Sequence, residues 1–202
     1  MTPSTASRWS PPQVATLTEL VWAAIAAGLR GNLYRHGQHP VSIGADPWLH
    51  QPAATFVTLH RHGELRGCIG TLEPVFPLGE SVARNAQSAA FADPRFSALS
   101  LHELADIYAE ISILTPIIPL AAASHAALLA TLRPQIDGLV VRGAGRSATF
   151  LPVVWQDLSE PRQFVDQLWR KAGLPAGAWP ADIALWTYAA DKVDAGMALR
   201  PT

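Results

Sequence analysis

The chain has 202 residues, 49% of them hydrophobic and 15% charged, with a formal net charge of −1 and a single cysteine. That balance excludes a disordered chain and supplies material for a sizeable core. It shows no basic excess for nucleic acid or an anionic membrane, and one cysteine excludes an intramolecular disulfide and a cysteine-only metal site within one chain.

The length fits one large domain, or one domain with a smaller lobe. Residues 1–9 are polar. Ser10-Pro11-Pro12-Gln13 predicts a helix start: serine can cap, Pro11 suits the first helical position, and glutamine falls at the capping-box position. Val14, Leu17, Val21 and Ala24 follow at helical spacing, with Gly28 and Gly31 as stops. The apolar run from Leu20 to Leu29 is too short for the roughly 20 residues that span a bilayer. It lacks the charged flank and cleavage site of a signal peptide, so a buried helix and a cytoplasmic protein are expected.

A Pro- and Gly-rich stretch from 31 to 54 reads as loop. Thr55 to His60 alternates and is rich in β-formers, which predicts a strand, followed by a turn at Arg61-His62-Gly63-Glu64 and a hairpin partner from Leu65 to Leu72. Pro77 to Ala92 predicts a helix with a small-residue face of Val82, Ala86, Ala89 and Ala90, ended by Asp93-Pro94. Ala109 to Leu114 reads as a strand, Ala121 to Leu132 as a short helix, and Gly138 to Arg142 with Ser147 to Leu151 as a hairpin around Gly143-Ala144-Gly145-Arg146. Ser159-Glu160-Pro161 starts a helix that stops near Gly173, and Ile183 to Ala189 reads as the last strand. Strands and helices mix without a βαβ rhythm, so the expected class is α+β.

The string Leu65-Arg66-Gly67-Cys68-Ile69-Gly70 places the only thiol between two glycines. Glycines inside a strand mark a bulge or a close approach to the backbone, which makes Gly67 and Gly70 candidate ligand contacts. On extended backbone Arg66 and Cys68 share one face, so a guanidinium beside the thiol would make Cys68 a candidate nucleophile. Glu110 and Ser112 share the face of their strand opposite Ile111 and Ile113. If the two strands are neighbours, Arg66, Cys68, Glu110 and Ser112 form one polar cluster, with Glu110 as acid/base or as counter-charge to Arg66. The alternative is a packed, inert cysteine beside an ordinary ion pair. Asp93 and Arg95 could bind a polar ligand or lock their own loop. His60, His62, His36 and His39 lack the convergent spacing of a metal site and read as surface histidines. The seven tryptophans read mostly as core by default; as an alternative, Trp169 and Trp179 could form an exposed partner surface.

The segments Phe56-Val57-Thr58-Leu59, Leu65 to Gly70, Asp93-Pro94-Arg95-Phe96, Glu103-Leu104, Glu110 to Leu114, Gly138 to Val141, Phe150-Leu151-Pro152 and Lys171 to Leu174, in that order, resemble the AMMECR domain family, called AmmeMemoRadiSam system protein A in bacteria and archaea. Val153 stands where the family more often has glutamine. The resemblance places an AMMECR-like domain at 16–195, between an N-terminal segment and a short C-terminal tail. It implies a mainly antiparallel sheet flanked by helices, a smaller lobe, and an inter-lobe cleft that carries the motif. It further implies a MEMO-like protein and a radical SAM protein as partners, with no nucleic acid or membrane partner and no cofactor assigned. At the cleft, Arg66 would hold an anionic group of a small molecule or modified side chain, Cys68 would be nucleophile or soft contact, and Glu110 would be acid/base. The other reading is a non-enzymatic interaction module or scaffold, in which the motif only shapes a binding groove.

Overall fold

The structure, a computed structural model of the chain, describes residues 8–34 and 40–198; His36 and His39 lie outside the described residues. In chain order the elements are α1 (Pro11–Leu29), β1 (Pro52–Ala53), β2 (Thr55–Arg61), β3 (Glu64–Gly70), β4 (Phe76–Pro77), α2 (Leu78–Phe91), β5 (Ile107–Leu114), β6 (Ile118–Pro119), α3 (His125–Thr131), β7 (Gly138–Gly143), β8 (Arg146–Phe150), α4 (Pro161–Ala172), β9 (Ala184–Tyr188) and β10 (Ala190–Met197), with three short 3₁₀ turns between them. The class is α+β. The chain forms two compact units, one from residues 1–114 with 191–202 and a smaller one from residues 115–190.

In the first unit, the Ser10 amide and hydroxyl both reach Gln13 Oε1 at 3.0 Å, which fixes the start of α1 as the capping spacing predicted. Leu17, Leu20, Val21, Ala24 and Ile25 make a buried stripe at i, i+3, i+4, i+7 and i+8. By length and composition α1 could cross a membrane, but that stripe sits in the core with Val82, Ala86 and Ala89 of α2. These helices cover one face of a four-stranded sheet ordered β10-β5-β2-β3, through Val57 and Leu59 of β2 and Ala109 and Ile111 of β5. The pairings of β2 with β3 and with β5 are antiparallel.

Strand β10 was not expected. Its Asp191, Lys192 and Asp194 mask the alternation, because an edge strand turns charged residues outward while Val193 and Ala195 are buried.

The second unit carries a sheet ordered β6-β9-β7-β8. Ala144 and Gly145 both have positive φ, 51° and 70°, as the tight hairpin turn between β7 and β8 requires. Helix α3 is shorter than the predicted Ala121–Leu132, because the Ser124 hydroxyl accepts the Ala127 amide at 3.2 Å and caps the helix there. Helix α4 packs Phe164, Val165, Leu168 and Trp169 on the sheet, with the Phe164 and Trp155 rings stacked at 3.8 Å. It ends in a left-handed Gly173, where the Leu174 amide reaches back to the Trp169 carbonyl at 2.9 Å. Trp169 follows the core reading rather than the partner-surface alternative: it is 1% exposed, and its indole N–H donates to the Ala178 carbonyl at 2.8 Å.

Gly67 sits opposite Leu59, on the face that α2 covers. A Cβ there would collide with the carbonyl oxygen of Ala89, which is backbone of α2 and cannot rotate away. Gly67→Ala should therefore cost about 1–3 kcal/mol, seen as a lower urea midpoint with an unchanged slope. A midpoint equal to that of the unmodified chain would mean that α2 yields freely and that Gly67 is not needed for packing.

Candidate functional site

The motif Leu65–Gly70 forms most of β3, an edge strand. Its register with β2 shifts by one residue: Gly67 pairs with Leu59, but Leu65 pairs with His60, so Arg66 is the extra residue of a bulge. The bulge overturns the alternation expected for this strand. Instead of sharing a face with Cys68, Arg66 is 9% exposed, and its Nε donates to Glu103 Oε1 at 2.9 Å. Its Nη2 donates to the Ser97 carbonyl at 2.9 Å and to Glu103 Oε2 at 3.3 Å. Its third nitrogen, Nη1, is buried without a hydrogen-bond partner among the described residues, while the guanidinium lies 5.7 Å from the centre of the Phe96 ring, within cation–π range.

Glu103 also accepts from the amide and hydroxyl of Ser100, at 3.0 Å each. Arg66 above all, and then Ser100, lowers its pKa from 4.5 to about 2. The Ser100-x-x-Glu103 spacing was a legible capping signal, but nothing in the sequence tied it to Arg66.

Asp93 and Arg95 close over the outer edge of β3. The Asp93 side chain is 1% exposed, and its Oδ2 accepts the backbone amide of Cys68 at 2.9 Å. Oδ2 also accepts Arg95 Nη2 at 2.7 Å, while Oδ1 accepts Arg95 Nε at 2.9 Å and the Arg95 amide at 3.1 Å. Arg95 Nη2 then donates to the Cys68 carbonyl at 3.3 Å. Both backbone groups of Cys68 are thereby satisfied by side chains rather than by another strand. These bonds, the Arg95 one foremost, hold the Asp93 carboxyl well below the usual carboxylate range, and Asp93 in turn raises Arg95. Of the two roles considered for Asp93 and Arg95, the loop lock is the one this geometry performs.

Because the backbone groups of Cys68 point away from β2, Cys68 and Thr58 form a non-hydrogen-bonded pair, in which side chains approach most closely. The Thr58 hydroxyl donates to Cys68 Sγ at 3.4 Å. On its other side Thr58 pairs with Glu110, so Cys68, Thr58 and Glu110 make one row across the sheet face opposite α1 and α2. The condition for a four-residue cluster is not met. Strand β2 lies between β3 and β5, which puts about 10 Å between the Cys68 and Glu110 backbones. Ser112 falls in the next row, with Phe56 and Gly70. A Cβ on Gly70 would meet the Phe56 ring and the Thr55 carbonyl, so this glycine also answers to packing.

Glu110 does not neutralise Arg66. Its Oε2 lies 3.2 Å from His60 Nε2, and His62 lies 3.6 Å from Asp106. His60, His62, Tyr108, Glu110 and Met197 line a groove of about 510 Å³ on this face. The Asp194 carboxylate, with burial, pushes the Tyr108 hydroxyl up to about 12. The groove therefore offers a histidine–carboxylate pair and a phenol: Glu110 stands in the thiol row, and His60 and Tyr108 lie about 7 Å further along the strands. Sequence reading had set His60 aside as a surface histidine and had not singled out Thr58 or Tyr108. The alternation of β2 placed Thr58 and His60 on one face, but their neighbours on β5 were not readable.

The Asp93 clamp has a definite pH signature. The folded chain binds fewer protons at Asp93 and Glu103 than the unfolded chain does. Their contribution is complete above the unfolded values of 3.8 and 4.5 and is lost as pH falls below them. Asp93→Asn should cost about 1.5–3 kcal/mol near neutral pH and flatten the loss of stability between about pH 5 and pH 2, read from urea midpoints at each pH. An asparagine variant with the same acid slope as the unmodified chain would assign that slope to other carboxylates.

The chain is similar to known proteins in sequence and in fold. The family model described as AMMECR1 matches residues 20–193. A protein of Methanothermobacter thermautotrophicus is 41% identical over 126 residues, spanning 62% of this chain and 66% of that protein. One from Methanococcus aeolicus is 37% identical over 153 residues, spanning 72% of this chain and 75% of its own length. The crystal structure of the uncharacterised protein PH0010 from Pyrococcus horikoshii superposes with a TM-score of 0.76 at 29% identity, covering 87% of this chain and 88% of that one. By the extent of the family match and the shared α+β fold, this chain belongs to the AMMECR1 family.

Proposed function

We propose that this protein is the AMMECR1-type component of a cytoplasmic modification system that includes a MEMO-like protein and a radical SAM protein. In this reading it binds a small molecule or a modified side chain in the groove beside the Leu65–Gly70 motif. The observation that carries it is the His60–Glu110 pair, 3.2 Å apart in a groove of about 510 Å³, on the sheet face that also bears Cys68. Arg66 and Asp93 lie outside the groove and hold β3 in place. Thr58 orients the thiol, which serves as a soft contact, and Glu110 holds His60 for proton transfer or hydrogen bonding to the ligand.

A second reading has its own support. Arg66, Gly67, the Cys68 amide and Gly70 are all committed to packing or to the edge clamp, as expected of a scaffold whose motif only shapes a surface. Assay of the system reconstituted with its MEMO-like and radical SAM proteins separates the two. His60→Gln and Glu110→Gln should each lower turnover about 100-fold while complex formation persists, in the range typical for a lost acid–base group. Cys68→Ser keeps an acceptor for the Thr58 hydroxyl and should leave the fold intact. Turnover unchanged in all three variants would eliminate the groove as the working site and favour the scaffold.

A further inference from the structure

The second unit carries a groove of its own, of about 810 Å³, between α3, α4 and the loop after Gly173. Leu129, Val165 and Leu174 form its apolar floor. Along one stripe of α4, Arg162, Asp166 and Arg170 line it at i, i+4 and i+8. Arg162 is 85% exposed and only 3.9 Å from Asp166, at the limit of an ion pair. Arg170 has no side-chain hydrogen bond or ion pair among the described residues. Arg146 adds a third guanidinium, packed against Gly173 at the C-terminal end of α4. Two arginines and one carboxylate line the groove over an apolar floor, and Arg146 lies next to its Gly173 end.

Cations near a helix C-terminus also complement the helix dipole, but Arg162 lies in the first turn, where the dipole disfavours it. His125, which lines the groove, packs on the rings of Trp169 and Trp179 at 4.9 and 5.0 Å, and those two rings stack at 6.0 Å. We propose that this groove docks an extended acidic segment of a partner protein, with an apolar side chain on the floor between two carboxylates that meet Arg162 and Arg170. The two arginines are about 12 Å apart along the helix axis, a separation that residues four apart in an extended chain match. The charge excess selects acidic over neutral or basic partners.

The test uses the intact protein, two acetylated and amidated pentapeptides, Glu-Ala-Leu-Ala-Glu and Gln-Ala-Leu-Ala-Gln, and amide chemical shifts. The acidic peptide should bind saturably, shift amides at Ala126–Leu129 and Leu174–Gly177, and weaken as salt rises. The glutamine peptide should bind at least tenfold more weakly. Arg162→Gln with Arg170→Gln should abolish that difference. No saturable binding, equal binding of the two peptides, or shifts confined to other surfaces would overturn the proposal. Should the double variant misfold, the comparison of the two peptides on the unmodified protein decides alone.

Discussion

One buried carboxylate organises the motif-bearing heart of this molecule. Asp93 takes the amide of Cys68 and the guanidinium of Arg95 together, and Arg95 takes the Cys68 carbonyl. An edge strand normally presents such groups unpaired, as a template for another strand. Here they are closed by charge-assisted bonds from the chain that follows α2. The closure fixes which way the Cys68 backbone faces, and hence brings its thiol close to the Thr58 hydroxyl. A carboxylate this buried is tolerable only because every bond it makes is to an N–H donor.

A bulge at Arg66 accompanies this closure. With one extra residue in β3, the arginine leaves the thiol's face and enters a fork with Glu103, while Phe96 lies within cation–π range of both Arg66 and Arg95. Asp93-Pro94-Arg95-Phe96 and Leu65–Gly70 are thus two halves of one structural device, although 22 residues separate Gly70 from Asp93 within 202. The side chains left to meet a ligand come from the neighbouring strands: Thr58 and His60 from β2, Tyr108 and Glu110 from β5.

The two units carry grooves of opposite electrostatic character. The one on the first sheet mixes histidines with Asp106, Glu110 and, behind Tyr108, Asp194. The one on α4 is rimmed by arginines over an apolar floor. Different partners suit the two surfaces: a proton-exchanging or hydrogen-bonding ligand at the first, a carboxylate-bearing chain at the second.

Local pattern alone was enough for α1, α2, α4, β2, β5 and the β7–β8 hairpin, because capping residues, apolar periodicity and turn glycines act over a few residues. The motif's importance was also readable, since a string of arginine, glycines and cysteine is too particular for an ordinary strand. Its geometry was not. Alternation along one strand cannot reveal a bulge, which depends on the partner's register, so Arg66 was placed on the wrong face. Strand order is likewise a long-range property: that β2 separates β3 from β5 decides that Glu110 meets His60 and not Arg66. Local pattern thus accounts for most of the elements and for the motif, but not for β10 or for the roles of Thr58, His60 and Tyr108. Only the tertiary structure decided which residues touch, because strand pairing and side-chain clamps join positions that local physics leaves independent.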